Sequence, residues 1–484
     1  LKAIFQEFSA LAALLWAGWQ VLALLSIVHV VMTARGAAVA WAWAMSMLAL
    51  PLVAVPLYWI AGRRRFEGYA ERMGEAREAC SQWGSQPGGA CDAAAVGGAV
   101  LRGEEARYGA LLEKLGGERW TEGNEISLLV DGEEAFAEMF RAIEEAESYV
   151  LAQFFVVKDD EIGNRFRALL EAKARQGLEV CLLYDRIGSY GLTKRYLGSL
   201  LEAGVDARRL HSIRGSIVRL QANFRNHRKI LVCDGKIGFT GGLNVGDEYV
   251  NPTARYGAWR DTMVRLRGPS VLGLQSVFLD DCCWAGGRMP DVSWDESAVS
   301  GNAKVLALAT GPICETEGGA DFFMHVIGQA RRRLWIASPF FITDESVRFA
   351  LRLAAMRGVD VRILIPPATS DSWALWLIAV SHLPEMASAG VRVFGYEPGF
   401  LHQKVVLVDE CLATVGSANF DNRSMRLNFE ITAVALCRDF ASGVEEMLLR
   451  DFARSRELGA SDFLGRPWWF RAAAKVACLA SPVL

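Results

Sequence analysis

The chain has 484 residues, 52 Lys and Arg against 55 Asp and Glu, and 52% hydrophobic residues. A net charge of −3 offers no basic surplus for a nucleic-acid partner, and the length exceeds what one ordinary domain needs. The ten cysteines, scattered singly apart from Cys282 and Cys283, follow neither a metal-binding nor a secreted disulfide spacing, so reduced thiols are expected, with Cys233 and Cys437 packed as small hydrophobes in strands.

The apolar content is concentrated in the first sixty residues. Leu11 to Met32 and Ala37 to Ile60 carry no formal charge, and each is long enough to cross a bilayer as a helix. With only Thr33 to Gly36 between them they read as a helical hairpin over 1–62, its second span kinked at Pro51 and Pro56. A signal peptide would have a shorter apolar run and no second span behind it. Arg63, Arg64 and Arg65 follow directly, Lys2 precedes, and only Arg35 lies between the spans. The positive-inside rule then puts both ends on the cytoplasmic side.

Residues 63–120 are charged and then, from Ser81 to Val100, rich in Gly, Ala and Ser, the composition of a juxtamembrane helix and a flexible linker. Beyond them the text repeats. Ser148–Phe155 matches Leu334–Phe341, and Gln176–Leu183 matches Arg357–Leu364, with helical patterns between, Arg165 to Gln176 and Ser346 to Arg357. Strand, helix, strand in that order implies crossover connections, hence an α/β half over 121–295 that recurs over 296–465. Arg208, Arg209, Arg214, Arg219, Arg225 and Arg228 form either a solvated face or a local field for an anionic head group. Ser372 to Val380 reads as an apolar helix that lines an acyl-chain entrance or, the preferred reading, fills the core. The segment 466–484 sets Trp468 and Trp469 beside Arg466, Arg471 and Lys475, which suits the head-group level of a bilayer or a terminal helix docked on the protein.

One pattern occurs twice. His227, Lys229 and Asp234 are followed by Gly241, Gly242 and Asn244; 175 positions on, His402, Lys404 and Asp409 are followed by Gly416, Ser417 and Asn419 at the same offsets. A histidine meets Lys at +2 and Asp at +7 by chance about once in several hundred trials, so a matched pair is not coincidence. In a strand, His and Lys two apart share a face. The runs Ile230–Cys233 and Val405–Val408 suit buried strands, and Asp234-Gly235 and Asp409-Glu410 would end them in turns. Small residues let a returning backbone approach a ligand, and each Asn can donate to an anionic oxygen. Two such copies facing each other would enclose a phosphate. Purely structural histidines are the alternative, disfavoured because two of only six histidines fall on one pattern.

These motifs, with Asn223–Lys229, Thr240–Asn244, Gly246–Tyr249, Trp259–Thr262, Ser338–Ile342, Pro398–His402 and Asn419–Glu430, resemble the phospholipase D superfamily and, within it, the bacterial cardiolipin synthases. The resemblance runs from about residue 120 to 460. It implies an α/β fold, a duplicated phospholipase D-like domain of two pseudo-twofold-related mixed sheets flanked by helices, behind the transmembrane hairpin. The implied activity is a membrane-bound phosphatidyltransferase that makes cardiolipin from two phosphatidylglycerol molecules and releases glycerol. A lipid hydrolase or a membrane-tethered phosphodiesterase or nuclease is the competing reading. The expected partners are the phospholipid and the membrane, with no nucleic acid, cofactor or metal, at the inner membrane of a bacterial cell with the catalytic part cytoplasmic.

In that chemistry one neutral imidazole attacks phosphorus and the other, protonated, donates to the departing oxygen. Superfamily precedent makes His227 the nucleophile and His402 the acid/base. Lys229, Lys404, Asn244 and Asn419 would neutralise the non-bridging oxygens. Asp234 and Asp409 complete the two catalytic motifs, but at the far end of the strand they are expected to hold the turn. Glu430 and Asp261 are the carboxylates that the resemblance implies for the other ring nitrogens, with Asp247 or Glu248 as substitutes for Asp261.

Overall fold

The computed structural model describes residues 2–34, 37–62, 98–210, 224–252, 257–286, 288–296, 299–312, 317–366, 373–479 and 481. Arg35, Arg63, Arg64, Arg65, Arg214, Arg219, Asn223, Ser372 and the linker up to residue 97 lie outside the described residues. The chain divides into two compact units, residues 1–66 with 212–224, and residues 67–211 with 225–484.

In the first unit the helix Lys2–Thr33 starts earlier than its apolar run. Its segment Ala12–Thr33 is long and apolar enough to cross a membrane, 22 residues or about 33 Å of rise. The second apolar run is not one helix. Ala37–Ala49 stops at Leu50, whose φ of −136° leaves helical space, because a residue before proline is pushed out of the α region. Pro51 then opens Pro51–Leu57 at a position that needs no N–H, and Tyr58–Gly62 closes in a π-helical turn. The expected continuous span from Ala37 to Ile60 is therefore corrected to a broken one, and Val39–Ala49 alone falls short of a bilayer. Val30, Met47, Ala54, Val55 and Tyr58 pack together, and polar groups pair within the unit: Tyr58 Oη with His29 Nδ1 at 2.6 Å, and Trp59 Nε1 donating to Ser26 Oγ at 2.9 Å.

The second unit is built on strands. The first half of the sequence gives β1 (Thr121–Val130), β2 (Tyr149–Phe154), β3 (Glu179–Asp185), β4 (Asp206–Leu210), β5 (Arg225–Asn226), β6 (Ile230–Cys233), β7 (Ile237–Gly241), β8 (Ala258–Arg260) and β9 (Thr262–Arg267). The second half gives β10 (Ala303–Thr310), β11 (Arg333–Ala337), β12 (Asp360–Ile365), β13 (Arg392–Tyr396), β14 (Gly399–Leu401), β15 (Val405–Val408), β16 (Leu412–Gly416), β17 (Asn428–Leu436) and β18 (Ser455–Leu458). One mixed sheet runs β18-β13-β12-β11-β15-β16-β17-β10-β1-β9-β7-β6-β2-β3-β4. Outward from the antiparallel pair β10 and β1, both directions meet the same sequence: three antiparallel pairings to β15 or β6, a fourth to β11 or β2, then two parallel neighbours. Among the described residues, β18 has no counterpart on that path.

The parallel pairs need crossover helices, and Glu161–Arg175 and Glu345–Met356 supply them close to the expected positions. Asp160 and Asp344 cap these helices by accepting from Gly163 N and Val347 N. The register corrects one expectation. Val150 pairs with Cys233 while Leu334 pairs with Val408, six residues after each motif histidine, so Val150 corresponds to Leu334 and the match of Ser148 with Leu334 is out by two residues. A slip of two keeps every side chain on its face, so an apolar pattern alone does not detect it.

Each half has its own apolar core. Tyr108 on Glu105–Tyr108, Leu112 on Gly109–Gly116 and Trp120 just before β1 are fully buried in the second-half core. The end of the segment read as linker is thus packed structure. Two short parallel pairings cross between the halves: β5 with β17, and β8 with β14.

Candidate active site

Strand alternation sorts the first motif. Asn226 and Arg228 both reach Asp281 Oδ2, at 2.8 and 2.9 Å, so Arg225, His227 and Lys229 share the opposite face. The crossing pairings then bring each histidine to the other half. His227 N donates to Phe429 O at 2.9 Å, and the next residue, Glu430, meets His227 Nδ1 at 2.9 Å. His402 N donates to Arg260 O at 2.8 Å, and the next residue, Asp261, meets His402 Nδ1 at 2.6 Å. Both carboxylates expected from the resemblance stand on imidazoles, each contributed by the opposite half. A carboxylate on Nδ1 fixes the neutral tautomer with its proton there and leaves the Nε2 lone pair for chemistry.

The carboxylates are themselves held. Glu430 accepts from Ser417 Oγ and from Asn428 Nδ2 at 3.1 Å, and Asp261 Oδ1 accepts from Thr262 N at 2.8 Å. Gly242 occupies the place equivalent to Ser417, where a Cβ would stand 2.0 Å from Asp261 Oδ1. The lysines fold back: Lys229 Nζ donates to His227 O at 2.6 Å, while Lys404 Nζ donates to His402 O and lies 2.9 Å from His402 Nδ1. That Nδ1 cannot both donate to Asp261 and accept from Lys404; the shorter contact with a charged acceptor takes the proton.

Burial sets the electrostatics. Lys229 and Glu430 are fully buried and Asp261 nearly so, whereas the two imidazoles keep 11% and 14% of their side-chain surface open. A ligand therefore reaches the histidines first. Burial, with Lys404 beside it, holds His402 down to about 4 against the pull of Asp261. Burial also lowers His227, opposed by Glu430 and reinforced by Lys229 and Lys404. Lys404 is lowered to about 8 by burial, and Lys229 is also lowered well below the ordinary lysine value by burial, opposed by Glu430 and reinforced by Lys404. Burial alone would raise Glu430, but His227, Lys229 and Ser417 outweigh it and hold it below the usual carboxylate range. His227 is thus influenced by Lys404 and His402 by Lys229, so both motifs share one electrostatic cluster. The cluster's own groups favour neutral imidazoles and leave its lysines short of compensating charge, the condition that an anionic phosphate relieves.

The remaining site residues divide. Asp234 and Asp409 lie away from the imidazoles at left-handed φ of 56° and 51°. Asp234 accepts from the N–H groups of Glu147, Ser148 and Tyr149 (2.8, 2.8 and 2.9 Å), and Asp409 from those of Arg331, Arg332 and Arg333. They pin the starts of β2 and β11, the turn-holding position expected of them within the two motifs. Asn244 is engaged at both ends, accepting from Val156 N at 3.0 Å and donating to Tyr249 Oη at 3.0 Å, so at most one of its N–H bonds is left for a phosphate. Asn419 donates to Asp421, and its buried Oδ1 has no hydrogen-bond partner among the described residues. Asp247 accepts from Ile162 N and Glu248 pairs with Lys158 at 2.7 Å, which removes both as substitutes for Asp261. Of the arginine bunch, Arg208 pairs with Asp206 and Arg228 with Asp281.

Two features were not legible beforehand. Asp185, buried at the end of β3, acts on Lys229 and Arg225, yet nothing in the sequence near it signals a site. Aromatic rings surround the histidines: Phe155 lies 5.1 Å from His227, and Trp259, Phe400 and Tyr249 lie 5.2, 5.8 and 6.2 Å from His402. Trp259 and Tyr249 fall inside motif stretches, which was the available signal.

Comparison with known proteins gives the family. The family model described as cardiolipin synthase, phospholipase D-like domain, matches residues 139–254 and 323–452. Cardiolipin synthase A of Pseudomonas entomophila (strain L48) is 42% identical over 469 residues, 96% of this chain and 96% of that protein. Cardiolipin synthase A of Pseudomonas aeruginosa (strain LESB58) is 42% identical over 477 residues, 97% of this chain and 96% of that one. Among solved structures, the phosphatidylserine synthase of Haemophilus influenzae Rd KW20 superimposes with a TM-score of 0.58 at 15% identity, over 74% of this chain and 95% of that one, a likeness of fold. On the motif pair, the crossed carboxylates and these matches, the chain belongs to the cardiolipin synthase family of phospholipase D-like proteins.

Proposed function

We propose that the protein is a membrane-bound phosphatidyltransferase that joins two phosphatidylglycerol molecules into cardiolipin and releases glycerol. The observation that carries this reading is the pair of Nδ1–carboxylate contacts, 2.9 Å to Glu430 and 2.6 Å to Asp261, which leaves two Nε2 atoms available in one lysine-flanked cluster.

In the first step His227 Nε2 forms a bond to phosphorus, the bond from phosphorus to the glycerol oxygen breaks, and protonated His402 gives that oxygen its proton. The anionic diester adds to Asp261 in opposing the burial that keeps His402 neutral when the site is empty, so substrate binding supplies the acid. Lys229 and Lys404, with Asn244 and Asn419, offset charge on the non-bridging oxygens. In the second step a hydroxyl of another phosphatidylglycerol attacks phosphorus, its proton goes to His402, and the bond to His227 breaks. Water in place of that hydroxyl would give phosphatidic acid instead.

The equivalent strand orders on either side of the β10–β1 pair support a duplicated domain of two pseudo-twofold-related halves, 121–295 and 296–465. The N-terminal helices are read as a transmembrane hairpin over 1–62, with the catalytic part on the cytoplasmic side of a bacterial cell membrane; the long first helix supports membrane attachment. Attachment concentrates lipid acceptors near the site.

Purified protein in phosphatidylglycerol vesicles is expected to yield cardiolipin and glycerol in equal amounts. His227→Ala and His402→Ala are each expected to abolish turnover. Phosphatidic acid as the sole product would replace the transferase by a hydrolase, and turnover in either variant would remove the paired-histidine mechanism. A reporter inserted after Arg35 tests the topology, since it is expected outside while a C-terminal reporter stays inside.

A further inference from the structure

The two motifs are equivalent in their histidines and lysines but not at their rims. Two residues before His227 stands Arg225, and two before His402 stands Phe400; four residues after Asn419 stands Arg423, and four after Asn244 stands Glu248. Arg225 lies on the His227 face, and along that face burial deepens from half-buried Arg225 through His227 to fully buried Lys229. Arg225 thus sits toward the mouth. Its Cα pairs with Asn428 of β17, and Arg423 lies on the short helix Asn422–Arg426 that leads directly into that strand. Burial lowers both guanidiniums below the ordinary arginine value: at Arg225 the Asp185 carboxylate opposes this and Arg423 adds to it, and at Arg423 the Asp421 and Glu430 carboxylates oppose it. Around His402 stand the rings of Phe400, Trp259 and Tyr249, where His227 has that of Phe155.

Making cardiolipin brings two phosphates together. The reacting phosphorus and the acceptor's own phosphodiester are bridged by one glycerol, on the order of 7 Å when extended. Two residues separate Arg225 from His227, at most about 7 Å of extended chain. A guanidinium matches phosphate with two parallel N–H donors, which an ammonium cannot do.

We propose that Arg225 and Arg423 form a second phosphate subsite, which holds the intact phosphodiester of the acceptor lipid while its terminal hydroxyl reaches the phosphorus on the histidine. This rests on the phosphatidyltransferase reading above. The subsite makes the enzyme choose an alcohol that carries a phosphate over glycerol or water.

The test uses the full-length protein in phosphatidylglycerol vesicles with labelled glycerol, which reads donor use alone as exchange of glycerol into the lipid. In Arg225→Gln and Arg423→Gln the ratio of cardiolipin formation to glycerol exchange is expected to fall about tenfold each. Arg225→Lys, which keeps charge without the fork, is expected between parent and Gln variant. Soluble glycerol 3-phosphate, with the phosphate but no acyl chains, is expected to outcompete glycerol as acceptor in the parent and to lose that advantage in the double variant. A ratio left unchanged, or both reactions falling together, would overturn the subsite while leaving the transferase standing. Absence of cardiolipin from the parent would overturn the transferase reading and the subsite with it.

Discussion

Glu430 lies 203 positions from His227 in the sequence, yet its Oε2 stands 2.9 Å from His227 Nδ1. Asp261 has the mirrored relation to His402 across 141 positions. Neither carboxylate serves the histidine of its own half.

Removing the negative charge at either position takes away the group that fixes the ring tautomer. Asp261→Asn and Glu430→Gln are each expected to lower kcat by about 10²- to 10⁴-fold with the fold retained. Gly242→Ala, whose new methyl would meet Asp261 Oδ1 at 2.0 Å, is expected to act in the same direction by displacing the carboxylate. Steady-state kinetics beside circular dichroism checks both; full activity in Asp261→Asn would refute a role for that contact.

The order of the two chemical steps is open to a leaving-group experiment. His402→Asn lacks the proposed acid, but a donor with nitrophenol as leaving group needs none. That variant is expected to release one equivalent of nitrophenol in a burst and to retain the phosphatidyl group on His227. Mass spectrometry of the quenched protein locates it, and absence of the burst would reverse the assignment.

Lys404, lowered to about 8, loses its charge from the empty enzyme as pH rises through that value. Since kcat/KM follows the free enzyme, it is expected to fall on the alkaline side with a midpoint near 8, and in Lys404→Arg that limb should move well upward. Stability runs the other way. Between pH 8 and the ordinary lysine value of 10.5 the unfolded chain holds the extra proton, so this group favours the fold more as pH rises, and the activity loss is not unfolding. His402 works in acid: below its ordinary 6.5 and down to about 4 the unfolded chain again binds more protons, and stability is expected to decline across that window.

Asp409 accepts three backbone N–H bonds and pairs with Arg107 at 3.0 Å. Asn tolerates the same left-handed backbone but brings no charge. Asp409→Asn is therefore expected to cost about 1–3 kcal/mol, read as a lower unfolding midpoint, with turnover per folded molecule close to the parent.

The sequence made the core of the site legible because His, Lys and Asn recur at fixed offsets. It also implied Glu430 and Asp261 through the resemblance, but not that they are exchanged between halves, since short strands such as Arg225–Asn226 and Ala258–Arg260 carry no periodicity of their own. The pairing of Ser148 with Leu334 erred by two because Val, Leu, Ile and Ala alternate similarly at either register. Pro51 was read as a kink in one span and instead begins a new helix, since hydropathy sums over a proline that the backbone must accommodate. Asp185 had no pattern at all; only the end of β3 brings it to Lys229.

The crossed pairings of β5 with β17 and β8 with β14 carry a developmental consequence. A polypeptide with one motif could complete its centre only by meeting a second copy about a rotation axis, at a rate set by its abundance, and every substitution would then appear twice. Covalent linkage makes that encounter intramolecular, and it frees the two faces to diverge, so that an arginine can stand where its counterpart is a phenylalanine.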